Sequence, residues 1–425
     1  MNAVDLDQFR PQTEAIQQNP FEYYAAMRTE RPVMRLAGAE VGRPGQEVFC
    51  VSRHEDVLDV LLDHETYSSR FGSTGSIPDA ALQQKLDVIS AEGWPHVDTM
   101  LTQDPPIHTR YRKLVSKAFT PKMVSSLEPR VRSLCEHLVD GWKGEERVDF
   151  NRGFGVPLPV TTVAYILDVP DDQQDAFKRW ADQSVAAIGR TISEEERLDA
   201  QRAIVEQQHW FADQIERRRG DPGDDFLSNL LNARLTEEDE IEGDPLSMGE
   251  MLSIIRQIQV AGSETTTSLL ADTMVHLSHH PEIWRDMRGN PALVQSVVEE
   301  ALRISSPNQG LFRIATRDSE IRGVSVPKGS AIWVMFGSAN RDERVFEDPD
   351  RFDPSRKNLH AHLALGKGVH YCLGAALARL EARVGLEVLC EKIESFSIVD
   401  ESSLRYSPSF ILRGLEGLRL DVEYR

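Results

Sequence analysis

The sequence predicts a mainly α protein with a small β region. Three observations carry this: apolar residues recur at helical spacing along most of the chain, strand-like alternation is confined to two stretches, and one capped helical run is unusually long. Helix-like segments fall at 53–63, 123–142, 171–189, 197–218, 247–280 and 291–304, and 375–389 is strongly helical. Strand-like material concentrates over Val33–Val51 and over 312–336, where Ile314, Ile321, Val324, Val326, Ile332 and Val334 sit among glycine and proline turn signals. No internal repeat or low-complexity tract is visible.

The 247–280 run is well marked. Ser247 with Glu250 three residues on forms a capping box, and Pro281 stops the run after His280. At 1.5 Å per residue it extends for about 50 Å, enough to cross the whole molecule. Its centre reads Ala261-Gly262-Ser263-Glu264-Thr265-Thr266, and a glycine, an acid and successive threonines there oppose helix propensity. Something must compensate.

A length of 425 residues is compatible with several domains, so linkers decide the count. The most breakable stretch, 219–225, is short, and the acidic run 237–244 ends at the helix cap; the expectation is one domain over 1–425 with surface loops. With 40% hydrophobic and 27% charged residues the chain has enough apolar material for a large core. No apolar run approaches the roughly 18–20 residues of a membrane span, and Met1–Pro20 lacks a signal-peptide pattern, so a cytoplasmic location is expected. A formal net charge of −20 argues against nucleic acid as a partner, because phosphate contacts need a basic surface. The four cysteines (Cys50, Cys135, Cys372, Cys390) lie far apart, without zinc or redox spacing.

Cys372 has the most informative surroundings. It follows Leu365-Gly366-Lys367-Gly368-Val369-His370-Tyr371 and precedes Leu373-Gly374 and a helical stretch. Two glycines suit a tight loop, and Gly374 lets backbone N–H groups approach the sulfur. A thiol at a helix start is biased toward the thiolate, the form that binds metal. One thiolate without partner ligands fits a heme axial position better than zinc, which usually takes four ligands or three and a water. His360 and His362 are spaced like a metal pair but read as loop residues.

With these residues the sequence resembles the cytochromes P-450, whose heme loop has the form Phe-Gly-x-Gly-x-His-x-Cys-x-Gly; every position matches except the first, where Leu365 stands for phenylalanine. The resemblance spans nearly the whole chain. Asp104-Pro-Pro-Ile-His108-Thr-Arg-Tyr-Arg112, Ala261–Thr265, Glu300-x-x-Arg303, Arg313, Pro349-Asp-Arg351-Phe352 and the cysteine loop appear in family order. It implies a P-450-like fold with heme b (iron protoporphyrin IX) between the long central helix and the helix after the cysteine loop. Cys372 would be the axial ligand of the iron. His108, Arg112, Arg313 and His370 resemble positions that hold the heme propionates, where guanidinium groups suit carboxylates. Leu365, Gly366, Gly374 and Ala261 would pack around the porphyrin, with Ala261 and Gly262 leaving room over it. Glu300, Arg303 and Arg351 resemble a buried charge network that supports the cysteine loop.

In the resemblance Thr265 and Glu264 manage protons. Activating dioxygen requires two protons, which a hydroxyl positions through water and an acid relays from solvent. The alternative for a mid-helix threonine, back-bonding to the preceding turn, suits Thr266 and Thr267. The expected activity is monooxygenation of a hydrophobic small molecule. Rivals are a peroxide-using or isomerising heme-thiolate enzyme, against which the Glu264-Thr265 pair speaks, and a non-catalytic heme sensor, for which no signalling segment is visible. No dinucleotide fingerprint follows a strand, so electrons must come from a ferredoxin or similar donor with a reductase. Two acid-free islands suit an acidic donor: 105–127, with Arg110, Arg112, Lys113, Lys117 and Lys122, and 362–380, with Lys367 and Arg379. Five largely apolar segments would line the substrate pocket: 70–97, 185–188, 260–265, 307–312 and 410–412, with Asn308 and Gln309 offering polar contacts.

Overall fold

The computed structural model describes residues 4–72, 78–186, 188, 192–239, 241 and 243–425. The helices used below are α1 (His54–Leu62), α2 (Ile107–Ala118), α3 (Glu128–Asp140), α4 (Pro157–Ile166), α5 (Glu194–Gly220), α6 (Met248–His279), α7 (Leu293–Ser305) and α8 (Ala375–Lys392). Strands β1 (Val33–Ala37), β2 (Glu47–Val51), β3 (Leu311–Ala315) and β4 (Ala331–Val334) fall in the two stretches expected to hold strands. The chain divides into two compact units. The first comprises residues 1–67, 126–159 and 264–425, the second 68–125 and 160–263.

In the first unit the four strands follow the order β1-β2-β4-β3, antiparallel except for the β2–β4 pair. All four residues of β4 are buried, as a strand covered on both faces requires. Val57, Val60 and Leu61 of α1 pack with Phe49, Val51, Ile332 and Val334, and the same cluster takes in Leu363, just ahead of the cysteine loop. Burial of that apolar face anchors the start of the loop.

A second sheet of this unit, Arg147–Asp149, Arg419–Tyr424 and Ile393–Ile398, lies outside the expected strand regions. Ile393–Ile398 follows Lys392 of α8 directly, with no glycine or proline between, so no turn signal announces the change of period. The run expected over 123–142 is broken between Ser126 and Glu128, where Pro129 enters the first turn of α3.

The second unit holds α2, α5 and most of α4, and the unit boundary at 263/264 falls within α6. The capping box that starts α6 is complete: Ser247 N–H donates to Glu250 Oε2 at 2.7 Å and Glu250 N–H to Ser247 Oγ at 3.3 Å. Glu250 also accepts from Arg110 Nη1 (2.7 Å) and Tyr111 Oη (2.8 Å) on α2. Burial alone would raise this carboxyl, but the hydrogen bonds from Arg110, Ser247 and Tyr111 outweigh it and hold it at about 2. A carboxylate depressed on folding stabilises above its unfolded pKa and loses that contribution as the pH falls. At neutral pH Glu250→Gln is therefore expected to be less stable than the parent, on the order of 2 kcal/mol. Urea unfolding of both proteins at several pH values checks this, and the gap should close between roughly pH 5 and pH 2.

Candidate active site

The cysteine loop closes on its own backbone. Cys372 N–H donates to Leu365 O at 2.9 Å, Gly366 N–H to Leu363 O at 2.9 Å and Tyr371 N–H to Gly368 O at 3.1 Å. Gly366 and Gly368 have φ of +68° and +69°, a region side chains rarely adopt, and a Cβ at Gly368 would come 2.9 Å from Leu61 O. Gly374 differs: it caps α8 at φ −81°, and a Cβ there would meet Cys372 Sγ at an ordinary 3.9 Å. Close approach to the sulfur does not explain that glycine. Leu365, His370 and Cys372 are half-buried, whereas Cys50, Cys135 and Cys390 are buried. Burial pushes the Cys50 and Cys390 thiols up to about 12, and Cys135 higher still, so none of these three is a thiolate at neutral pH.

Glu300 and Arg303 of α7 are wholly buried and doubly paired, Arg303 Nε to Glu300 Oε2 and Nη2 to Glu300 Oε1, both 2.7 Å. Arg351, expected as the third member, has an exposed side chain and contributes only its carbonyl, which accepts from Arg303 Nη2 at 3.2 Å. The third side chain is Arg356, whose Nε donates to Glu300 Oε1 at 3.1 Å. Nothing in residue type or spacing distinguishes the two arginines. Arg313, on β3, is buried, and its Nη1 donates to Phe312 O at 2.8 Å.

Helix α6 is buried over Met251–Ile255 and again over Thr266–Met274; between them Gln259 and Ser263 are buried, Ala261 is exposed, and Gly262, Glu264 and Thr265 are half-buried. Ser263 Oγ donates to Gln259 O and Ser268 Oγ to Glu264 O, both at 2.9 Å, and Thr273 Oγ1 to Leu269 O at 2.6 Å, so these hydroxyls back-bond to the preceding turn. Thr267 instead donates to Gly155 O at 3.0 Å, contrary to expectation. In the first unit a Cβ at Gly414 would lie 2.3 Å from Ser268 Oγ and 3.4 Å from Glu264 Oε1. The backbone at Gly414 thus closes over the helix face that carries Glu264, a contact no sequence signal announced. In the second unit a Cβ at Gly262 would meet Val163 Cγ2 of α4 at 2.7 Å, so this glycine serves helix–helix approach as well as any cofactor. His108 and Arg112 stand i, i+4 on α2, His108 buried and Arg112 half-buried.

The family model described as Cytochrome P450 matches residues 194–398. Cytochrome P450 107B1 of Saccharopolyspora erythraea is 37% identical over 409 residues, 95% of each chain. This chain belongs to the cytochrome P450 family. Among solved P450 structures, CYP109Q5 from Chondromyces apiculatus matches with a TM-score of 0.83 and 34% identity over 99% of this chain and 100% of that one. CYP109E1 from Bacillus megaterium, in complex with testosterone, matches with a TM-score of 0.80 and 31% identity over 95% and 99%. The fold is thus the expected P450 fold, mainly helical with small sheets. The protein is a heme-thiolate monooxygenase whose cofactor is heme b, and the family acts on small molecules with electrons from a redox partner.

The donor set of this P450 fits that cofactor. Cys372 alone of the four thiols is partly accessible, its loop is closed by backbone hydrogen bonds, and among the described residues no group of three or more His, Cys, Asp or Glu competes for a metal. Among the described residues no helix is long and apolar enough to cross a membrane.

Two expectations about the P450's surroundings need correction. The 105–127 island is largely neutralised by acids from elsewhere in the second unit: Arg110 pairs with Glu250, and Lys117 Nζ lies 2.6 Å and Lys113 Nζ 3.9 Å from Asp239. Arg379 is likewise held by Glu299, at 2.5 and 2.9 Å. Lys122 is exposed and Lys367 half-exposed. Gln309 is committed to the backbone, its Nε2 donating to Ser305 O (3.0 Å) and Ser306 O (2.7 Å), and Asn308 Oδ1 accepts from Gly310 N–H (3.1 Å). Phe410 is buried and packs edge-on to Trp333 with centroids 5.3 Å apart, which makes it a core residue of the first unit. Of the expected lining segments, 73–77 and 187 lie outside the described residues, as do 189 in the expected 171–189 helix and 240 and 242 in the acidic run.

Proposed function

We propose that residues 1–425 act as one heme-thiolate monooxygenase domain that hydroxylates a hydrophobic small molecule in the cytoplasm, with electrons from a ferredoxin-type donor and its reductase. The observation that carries this is Cys372: one partly accessible thiol, in a loop closed by its own hydrogen bonds, at the start of a helix. In this reading Cys372 Sγ would hold the heme iron. Arg112, Arg313 and His370, with His108, hold the propionates, whose carboxylates suit guanidinium and imidazole donors. Leu365, Gly366, Gly374 and Ala261 shape the walls, and Glu300, Arg303 and Arg356 support the loop. Bound through Cys372, the heme would supply the activation of dioxygen and the transfer of one of its oxygen atoms to the substrate.

The chain's own residues supply the protons. Thr265 Oγ1 positions a water and passes protons inward, and the Glu264 carboxylate, half-buried beside Gly414, takes them from solvent. The partly accessible centre of α6 leaves this pair reachable in a helix that is buried on either side. A hydrophobic substrate is supported by the testosterone bound to the Bacillus megaterium neighbour. Lys367, half-exposed in the cysteine loop, and exposed Lys122 suit an acidic donor.

The test is the absorption spectrum of purified protein reduced with dithionite under carbon monoxide. A strongly red-shifted Soret band that Cys372→Ser abolishes is expected. A histidine-type band, or a band that survives the substitution, removes the reading.

A further inference from the structure

The Glu299 carboxylate touches both ends of the cysteine loop at once. On the incoming side, His362 Nε2 lies 3.1 Å from Glu299 Oε2, and His362 Nδ1 accepts from Ala364 N–H at 3.2 Å. A ring nitrogen that accepts carries no proton, so the proton of the neutral ring sits on Nε2 and is donated to Glu299. His362 is buried, and burial lowers its pKa despite the carboxylate, which keeps the ring in that neutral tautomer. On the outgoing side, Arg379 of α8 grips Glu299 with two nitrogens, Nε to Oε1 at 2.5 Å and Nη2 to Oε2 at 2.9 Å. Its remaining terminal nitrogen, Nη1, donates to the hydroxyl of Tyr371 at 3.1 Å, one residue before Cys372. Every donor and acceptor of this chain belongs to the first unit.

We propose that Glu299 is a positioning residue for the Cys372 thiol: through neutral His362 and cationic Arg379–Tyr371 it fixes the separation of the two ends of the loop. The proposal rests on the reading of Cys372 as the heme ligand. Two features separate it from an ordinary surface ion pair. Glu299 is mostly buried, where charge-assisted hydrogen bonds are strong, and the hydrogen bonds of Arg379 are shared between α7, α8 and the loop. The same helix α8 also carries a pair without that property, Arg383 Nη2 to Glu128 Oε2 at 2.7 Å, which joins α8 to α3 alone. That pair is an internal control.

The experiment compares the holoproteins of the parent, Glu299→Gln, Tyr371→Phe and Glu128→Gln in mild urea. Two quantities are followed: the rate at which the reduced carbonyl complex changes from the thiolate-type to the thiol-type Soret band, and amide hydrogen exchange of peptides covering 362–374. Loss of one charge-assisted hydrogen bond is expected to speed both by about tenfold in Glu299→Gln, with a smaller increase in Tyr371→Phe. Glu128→Gln should leave both within about twofold of the parent, as an exposed pair does. Equal behaviour of Glu299→Gln and Glu128→Gln overturns the proposal. Absence of a thiolate-type band in the parent overturns the reading of Cys372 instead, and the exchange comparison then still decides whether Glu299 holds the loop.

Discussion

Glu300→Ala is expected to destabilise the protein by about 3–5 kcal/mol, the cost of leaving buried charge without its counter-charge. Arg303 has no exposure to solvent, and after the substitution it and Arg356 would keep their charges beside one another with no carboxylate, only backbone carbonyls and the ring of Phe346, to receive them. Those carbonyls belong to Asn340, Glu347, Asp348, Pro349 and Arg351, so the network also ties α7 to the segment ahead of the cysteine loop. Glu300 further accepts from Asp353 N–H at 2.8 Å, a bond that would be lost as well. The two arginines of that segment should then behave differently. Arg356→Ala removes a buried guanidinium from Glu300 and is expected to cost about 2 kcal/mol or more, whereas Arg351→Ala removes an exposed side chain and should stay within about 0.5 kcal/mol. Urea unfolding of the three variants decides it. Equal losses for Arg351→Ala and Arg356→Ala would return Arg351 to the network.

That pair of arginines shows where sequence reasoning stops. The Glu-x-x-Arg spacing places two charges on one helix face, and a helix is regular enough for spacing to fix geometry. Residues 349–356 are irregular, and there a carbonyl and a side chain five residues apart exchange roles without trace in the residue types. The long helix was legible because its signals are local: the Ser247–Glu250 box is formed as the spacing requires, and the run ends at His279, ahead of Pro281. The basic islands were misread for the opposite reason. Residues 105–127 hold no acid, but Asp239 and Glu250 reach Lys117 and Arg110 from more than a hundred positions away, and only tertiary packing brings them together. Gln309 followed the same pattern: a polar side chain beside an expected pocket is drawn to the unpaired carbonyls at the end of α7, because buried acceptors must be satisfied first. The cysteine loop was readable from its glycines, two of which do occupy positive φ; the residues that hold it in place, Glu299 and Arg379, carried no motif.

Thr265→Ala is expected to leave heme content and fold intact and to divert most reducing equivalents from product to hydrogen peroxide, with coupling falling by about tenfold or more, the scale of a lost proton-transfer group. The ground for this is where Thr265 lies on α6. Ser263 and Ser268 turn back to the carbonyls of Gln259 and Glu264, and Thr267 reaches across to Gly155, so these three hold backbone together. Thr265 is half-buried on the same helix, beside Glu264 and one turn after the exposed Ala261. Removing it leaves oxygen access unchanged, since alanine is smaller, but withdraws the group that directs protons to the site of reaction. Thr267→Ala, by contrast, removes a buried hydrogen bond and should lower stability by about 1 kcal/mol without changing the partition between product and peroxide. Measuring product, peroxide and consumed reductant for both variants with one substrate separates the roles. Full coupling in Thr265→Ala would move proton delivery to Glu264 acting through water alone, and the Glu264→Gln variant would then carry the whole loss.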